Sequence, residues 1–289
     1  MERGVGTGER TADPIVLNAD GSHRAMTDRI LATADQAGYR AALIDATDGS
    51  ATAWPRFART VRAAARGLSR RGLTAGDTAG VLVQDAASAA VAVNAIRAAG
   101  AAACLIRADA DPAEIAARLN ACGARLLITS APLAELAAEG ADRSRVRQVI
   151  AFGDAPGTTP FSSLLSSVPF SATDEPGRHQ EGNDPADQPV LAPEGDEGPA
   201  SAPRAGDEAG PGGTRPLTHR DVVVAAPPCG DGEAYTSLLD LVLLTGATLV
   251  AAPVTLVTAA TRVYQGTAAI VPADTRVPGI APELVFPVA

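Results

Sequence analysis

The residues of this chain best suited to chemistry lie in one run, Gly210 to Arg220, which reads G-P-G-G-T-R-P-L-T-H-R. Glycine amides approach an anion closely, and a lysine or a helix N-terminus beside them supplies positive charge, so a run of this type can cradle phosphate. Gly210, Gly212, Gly213 and Thr214 would form the cradle, with Thr218, His219 and Arg220 as the polar residues that follow it. No lysine can complete it. All 24 basic residues are arginine, so roles that depend on an ammonium are closed to this sequence, and a planar guanidinium does not reproduce a compact ammonium. The bland reading of the run is a flexible linker end entering a strand, with His219 as an exposed or capping histidine.

Other chemistry-bearing residues form no pattern. Cys229, Asp231 and Glu233 follow His219 and are of metal-binding types, but CxxC and HxxxH spacings are missing, which argues against zinc. Ser162, Ser163 and Ser166 have no histidine and aspartate that sequence can pair with them, so a hydrolase triad is unsupported. Cys104, Cys122 and Cys229 are odd in number and widely spaced, which fits a reducing compartment, with buried filler as their simplest role.

Composition narrows the partners. A net charge of -9 opposes nucleic-acid binding, because neutralising phosphates needs a clustered basic surface. Aromatics are only 3 % of the chain and alanine fills much of its apolar share, so the expected core is thin. Residues 86–106 and 238–257 approach membrane-span length but contain Asn94, Arg97 and Gly100, or Gly246 and Pro253. Each reads better as helix, glycine stop and buried strand than as a span. The first residues show no apolar signal-peptide core, and a cytoplasmic location is expected.

The elements that must position these residues alternate. Residues 1–24 read as a disordered N-terminus. Residues 25–170 read as a first α/β subdomain, with helices near 27–38, 55–71, 86–99, 112–122 and 132–139 and strands near 41–45, 78–83, 101–106, 125–129 and 146–152. Phe57, Val61, Ala64, Ala65 and Leu68 recur at helical spacing, and arginines 56, 59, 62, 66 and 70 form a solvated face. Asp111-Pro112 followed by Glu114 is a helix start. Residues 171–213 read as a disordered acidic linker rich in proline and glycine. Residues 214–289 read as a second, incomplete α/β segment whose last 16 residues hold no clear element. Strand and helix alternating at these lengths predict an α/β fold: a layered, mainly parallel sheet with helices on both faces.

Several stretches, in this order, resemble the adenylate-forming acyl-CoA synthetases, the AMP-dependent synthetase and ligase family that includes coumarate-CoA ligases. They are F-A-R-T-V-R-A-A-A-R-G-L-S-R-R-G-L-T-A-G-D-T-A-G-V-L-V from Phe57, A-I-R-A-A-G-A-A-A-C-L-I from Ala95, A-A-R-L-N-A-C-G-A-R-L-L-I-T from Ala116, and later L-T-H-R-D and L-L-T-G-A-T-L-V. The resemblance covers residues 40–165 and 210–272 and implies the N-terminal half of that family's large domain. The family's phosphate loop reads S-G-T-T-G-x-P-K-G. Counted back without gaps from Thr218, its lysine falls on Gly213, its one retained glycine is Gly210, and Asp207, Glu208 and Ala209 replace its glycine-threonine-threonine. The family's later ribose-binding aspartate and its C-terminal lid with a catalytic lysine have no counterpart.

The resemblance therefore implies a truncated, degenerate homologue with no catalytic residues, acting by binding a partner enzyme or an acyl or aryl ligand. The nucleotide-binding remnant would be Gly210, Gly212, Gly213, Thr214, Thr218, His219 and Arg220. The alternative is one half of a split carboxylate-adenylating enzyme; a decayed product without a role is a third. No metal and no cofactor are expected, Mg-ATP and CoA entering only with the alternative. The partner expected is a protein, namely a complete ligase, a carrier protein or a companion half-chain, with no nucleic acid and no membrane.

Overall fold

A computed structural model of the protein describes residues 22–166, 216–281 and 284–288. Both segments expected to be disordered, 1–24 and 171–213, fall outside these, except that residues 22–24 begin a helix. The described residues belong to one compact unit; the other unit, Val168–Arg215, lies outside them.

Helix α1 (Ser22–Gln36) leads to strand β1 (Ala41–Asp45), which turns back antiparallel into β2 (Ala51–Ala53). Next come α2 (Trp54–Arg70), β3 (Thr78–Leu82), α3 (Ala86–Ala98), β4 (Ala102–Leu105), α4 (Pro112–Ala121) and β5 (Leu126–Ser130). A 3-10 turn leads to α5 (Ala134–Asp142), β6 (Gln148–Phe152), β7 (Thr159–Pro160) and the short α6 (Ser162–Leu165). After the undescribed stretch follow β8 (Val222–Ala225), α7 (Gly232–Leu244), β9 (Thr248–Ala251), α8 (Val257–Val263), β10 (Ala268–Pro272) and β11 (Val285–Val288).

Local chemistry places the ends of these elements. Pro55 sits in the first turn of α2, where its missing N-H is harmless. The Asp111 carboxylate accepts from the Glu114 amide at 2.8 Å and starts α4, as its sequence predicts. Asp231 caps α7 by accepting from the Glu233 amide at 2.9 Å. Gly72 and Gly100 follow α2 and α3 with φ of 88° and 86°, a left-handed conformation in which a Cβ would be strained.

The mainly parallel α/β architecture is present, but its strands divide between two sheets. One has the order β4-β3-β5-β6-β7 and is wholly parallel. The other has the order β11-β10-β8-β9-β1-β2 and is parallel except at β1-β2. Within it β1 pairs β9, Leu43 beside Leu249, so the segments read as first and second in sequence share one sheet. The end of the chain, where no element was expected, supplies β11 beside β10. Nothing in V-F-P-V announces a strand, because proline and short length erase the alternation.

Helix α3 touches β3 and β4 of one sheet and β1 and β9 of the other, and α7 likewise touches β4, β9 and β11. These helices form the layer between the sheets. That position explains the alanines: Ala86, Ala89, Ala90, Ala92 and Ala95 are buried, and small side chains let one helix sit against two sheets at once. On the far side of the five-stranded sheet α4 and α5 cover a smaller core of Leu82, Ile106, Ile115, Leu119 and Leu127, while α8 packs on β8. Among the described residues no helix is long and apolar enough to cross a membrane.

Helix α2 packs against α6 at Gly67, where an added Cβ would come within 2.5 Å of the Leu164 carbonyl oxygen and 2.7 Å of its Cα. Helix propensity favours alanine over glycine by about 1 kcal/mol. Overpacking against backbone opposes it by about 1–3 kcal/mol. The Gly67→Ala variant is therefore expected to unfold at lower urea concentration than the parent chain, and a raised midpoint would show that α6 yields.

Candidate functional site

In wound α/β sheets ligands bind outside the carboxyl ends of the strands. Here the carboxyl ends of strands from both sheets meet around a cavity of about 470 Å³. Asp45 ends β1 and Thr47 follows it; Gln84 and Asp85 follow β3; Ala108 follows β4; Pro227 follows β8; Ala251, Ala252 and Pro253 close the end of β9. A second hollow of about 210 Å³, lined also by Ser50, Ser88 and Phe152, shares Asp45 and Asp85.

The groove's charge is negative. Asp45 accepts from the Thr47 amide at 2.8 Å and from its hydroxyl at 2.6 Å. Asp85 caps α3, accepting from the Ser88 amide at 2.6 Å. Among the described residues no arginine lines the cavity or the adjoining hollow. Carboxylates without a compensating cation repel an incoming phosphate, so the groove suits neutral or hydrogen-bond-donating groups. Its wall is held from behind by Tyr235, which is fully buried and donates its hydroxyl to the Ala226 carbonyl. Burial pushes that hydroxyl well above the usual phenol range, which keeps it a neutral donor.

Of the residues singled out in the sequence, those the structure describes lie elsewhere. Gly210, Gly212, Gly213 and Thr214 lie outside the described residues. Thr218, His219 and Arg220 form an exposed turn just before β8, at its amino end, whereas the groove lies beyond its carboxyl end. The turn has a structural task. Asp221 accepts from the Thr218 amide at 2.7 Å and its hydroxyl at 2.9 Å, and from the Thr267 hydroxyl at 2.8 Å, tying the starts of β8 and β10 together. The His219 carbonyl accepts from Arg40.

Cys229, after β8, is half-buried; burial, then Asp109 and Asp274, pushes its thiol up, opposite to what a nucleophile needs. Among the described residues no group of three or more His, Cys, Asp or Glu could hold a metal ion. Ser163 donates to the Pro160 carbonyl at 2.6 Å and accepts from Arg71 at 2.9 Å, while Ser166 donates to the Ser162 carbonyl at 3.0 Å. These are bonds that fix α6, without a histidine among them. Cys104 and Cys122 are buried in the smaller core as free thiols.

Sequence reasoning missed Asp45 and Asp85. The signal was present, since both stand where a strand ends and before the next turn or helix, the place a wound sheet offers to ligands.

Residues 31–193 match the model of the family described as AMP-binding enzyme. No curated protein matches the sequence. Among solved structures the chain is similar to a long-chain-fatty-acid-CoA ligase from Archaeoglobus fulgidus, with a TM-score of 0.62 and 18% identity over 86% of this chain and 51% of that one. It is similar to a benzoate CoA ligase from Burkholderia xenovorans, with a TM-score of 0.60 and 16% identity over 89% of this chain and 53% of that one. MbtA of Mycobacterium smegmatis gives a TM-score of 0.61 and 22% identity over 91% of this chain and 53% of that one. The chain thus spans about half the length of these solved proteins, and they share its fold.

Proposed function

This chain belongs to the AMP-binding enzyme family, and on that premise we propose that it acts by binding, without adenylating a carboxylate itself. The observation that carries this reading is the groove at the strand ends, lined by Asp45 and Asp85 and, among the described residues, by no arginine. Adenylation draws a polyphosphate and a carboxylate together, and both anions need fixed positive charge where they meet. The glycine-rich run offers no lysine, and the Thr218–Arg220 turn is at the wrong end of β8 to supply the groove. What the groove can accept is an acyl or aryl group presented without charge, as a thioester or amide, or an element of a partner protein such as a complete ligase, a carrier protein or a companion chain.

A second reading, one half of a split carboxylate-adenylating enzyme, rests on the chain's membership of the AMP-binding enzyme family. A companion chain would then bring the missing cation, Mg-ATP and CoA. Calorimetric titration of the purified chain with Mg-ATP, and separately with AMP, at physiological salt separates the two. The binding reading expects no saturable heat up to millimolar nucleotide. Micromolar affinity would overturn it and direct attention to the companion.

A further inference from the structure

At the opposite end of the five-stranded sheet, where its strands begin, a second cavity of about 390 Å³ is lined by Arg71, Arg125 and Arg147 together with Gly72, Leu73, Leu126 and Gln148. Among the described residues its lining includes three arginines and no Asp or Glu. The three arginines come from separate places: Arg71 is the C-cap residue of α2, Arg125 precedes β5 and Arg147 precedes β6. A solvated helix face spreads its charges outward along one element. Here the fold gathers them from three elements onto one hollow.

Two of the arginines are held side by side. Leu126 pairs with Gln148 in the parallel β5-β6 register, and the Arg147 amide donates to the Arg125 carbonyl at 2.9 Å. Neighbouring strands lie about 4.8 Å apart, and like charges at facing register positions disfavour each other. An anion between them removes that repulsion. Arg71 is braced by donating Nη2 to the Ser163 hydroxyl at 2.9 Å, and Arg125 by Asp77, whose Oδ1 lies 3.5 Å from its Nε. Asp77 is itself satisfied by the Thr74 amide and hydroxyl at 2.8 and 2.7 Å, and Thr74 and Arg125 hold its carboxyl below the usual carboxylate range. Of the three arginines Arg125 alone has a carboxylate within ion-pair distance among the described residues. Guanidinium groups pair with tetrahedral oxyanions through two parallel N-H donors, and among the described residues no carboxylate pairs with Arg71 or Arg147.

We propose that the Arg71–Arg125–Arg147 hollow is a binding site for a compact phosphate-bearing anion. The hollow is at the amino ends of the strands, away from the acidic groove at their carboxyl ends, so the proposal stands or falls independently of the function proposed above. The anion can be free inorganic phosphate or diphosphate, or the phosphate end of a small phosphomonoester; all three present the same oxygens to the arginines.

Calorimetric titration of the full chain with orthophosphate, pyrophosphate and glycerol 3-phosphate tests it. At least one probe is expected to bind saturably with one site per chain. Arg147→Ala is expected to weaken that binding by about tenfold or more, as loss of a charge-assisted hydrogen bond requires. Arg59→Ala, on the exposed face of α2, is expected to leave it unchanged. Arg147 is exposed, so its truncation leaves the core intact, and an unchanged thermal melt checks this. Pyrophosphate or orthophosphate binding above glycerol 3-phosphate identifies a free inorganic ligand; the reverse order identifies an ester. No saturable heat from any probe at ten times physiological phosphate levels, or equal weakening by Arg147→Ala and Arg59→Ala, overturns the site.

Discussion

Replacing Asp240 by alanine is expected to lower the unfolding free energy by about 3–5 kcal/mol, the loss that follows when a buried ion pair is left with one partner. Asp240 on α7 takes Arg97 of α3 at 2.7 and 2.9 Å from a single guanidinium nitrogen, with side-chain exposures of 9% and 2%. The pair lies in the helical layer between the sheets, and the Arg97 Nε has no partner there. Removing the carboxylate strands a buried guanidinium. The Arg97→Met/Asp240→Leu double variant removes both desolvation penalties, and it is expected to equal or exceed the parent in stability. Denaturant unfolding of the three proteins decides, and a double variant as weak as the single one would show that the pair itself stabilises.

The same pair gives a pH dependence with a definite sign. Burial raises the Asp240 carboxyl above its usual value, and the attraction of Arg97 only partly opposes this. The folded chain therefore takes this proton at higher pH than the unfolded chain does. The group's contribution to stability is full below the unfolded pKa of about 3.9 and is lost as the pH rises through the folded one. The stability of the parent chain relative to Asp240→Asn should accordingly fall as the pH rises from about 4 through the folded pKa. A parent that gains stability relative to Asp240→Asn over that window would reverse the assignment.

Trp54→Ala is expected to cost about 3–5 kcal/mol, because it empties the largest fully buried side chain of the core. Trp54 starts α2 directly after β2 and meets Phe57 edge-to-face, with ring centroids 5.7 Å apart and planes at 86°. Its indole N-H is buried and has no partner among the described residues. Trp54→Phe therefore discards a polar group that was already unsatisfied while retaining most of the packing, and should cost under about 2 kcal/mol. Circular dichroism in guanidinium follows all three, since Trp54 is the only tryptophan. Equal damage from phenylalanine and alanine would mean that the N-H has a partner the fold depends on.

The helices and the longer strands were legible because their signals are local. Asp111-Pro112 announces α4, the spacing of Phe57, Val61 and Leu68 announces α2, and each buried strand of four or five residues is a largely apolar run closed by glycine, proline or a polar turn. The elements missed are short or interrupted. Strand β7 has two residues, β2 has three, and β11 carries Pro287. Arg62 and Arg70, read as parts of a solvated face, stay accessible but also reach Asp35 at 3.1 Å and the Leu164 carbonyl at 3.3 Å. Helical periodicity says which way a side chain points and nothing about what stands opposite.

For the candidate site, sequence by itself determined which side chains are available. It showed the arginine-only basic set, the net acidity and the succession of stretches that resembles adenylate-forming ligases, because residue identity and order are properties of the chain alone. Only the tertiary structure decided where charge collects. It placed Asp45 and Asp85 together at the strand ends, held Thr218, His219 and Arg220 at the other end of β8, drew Arg71, Arg125 and Arg147 around one hollow, and joined Arg97 to Asp240 across 143 positions of sequence. These are contacts between segments far apart in the chain. Their geometry follows from how strands divide between two sheets and how helices pack between them, and no local pattern of residues carries that information.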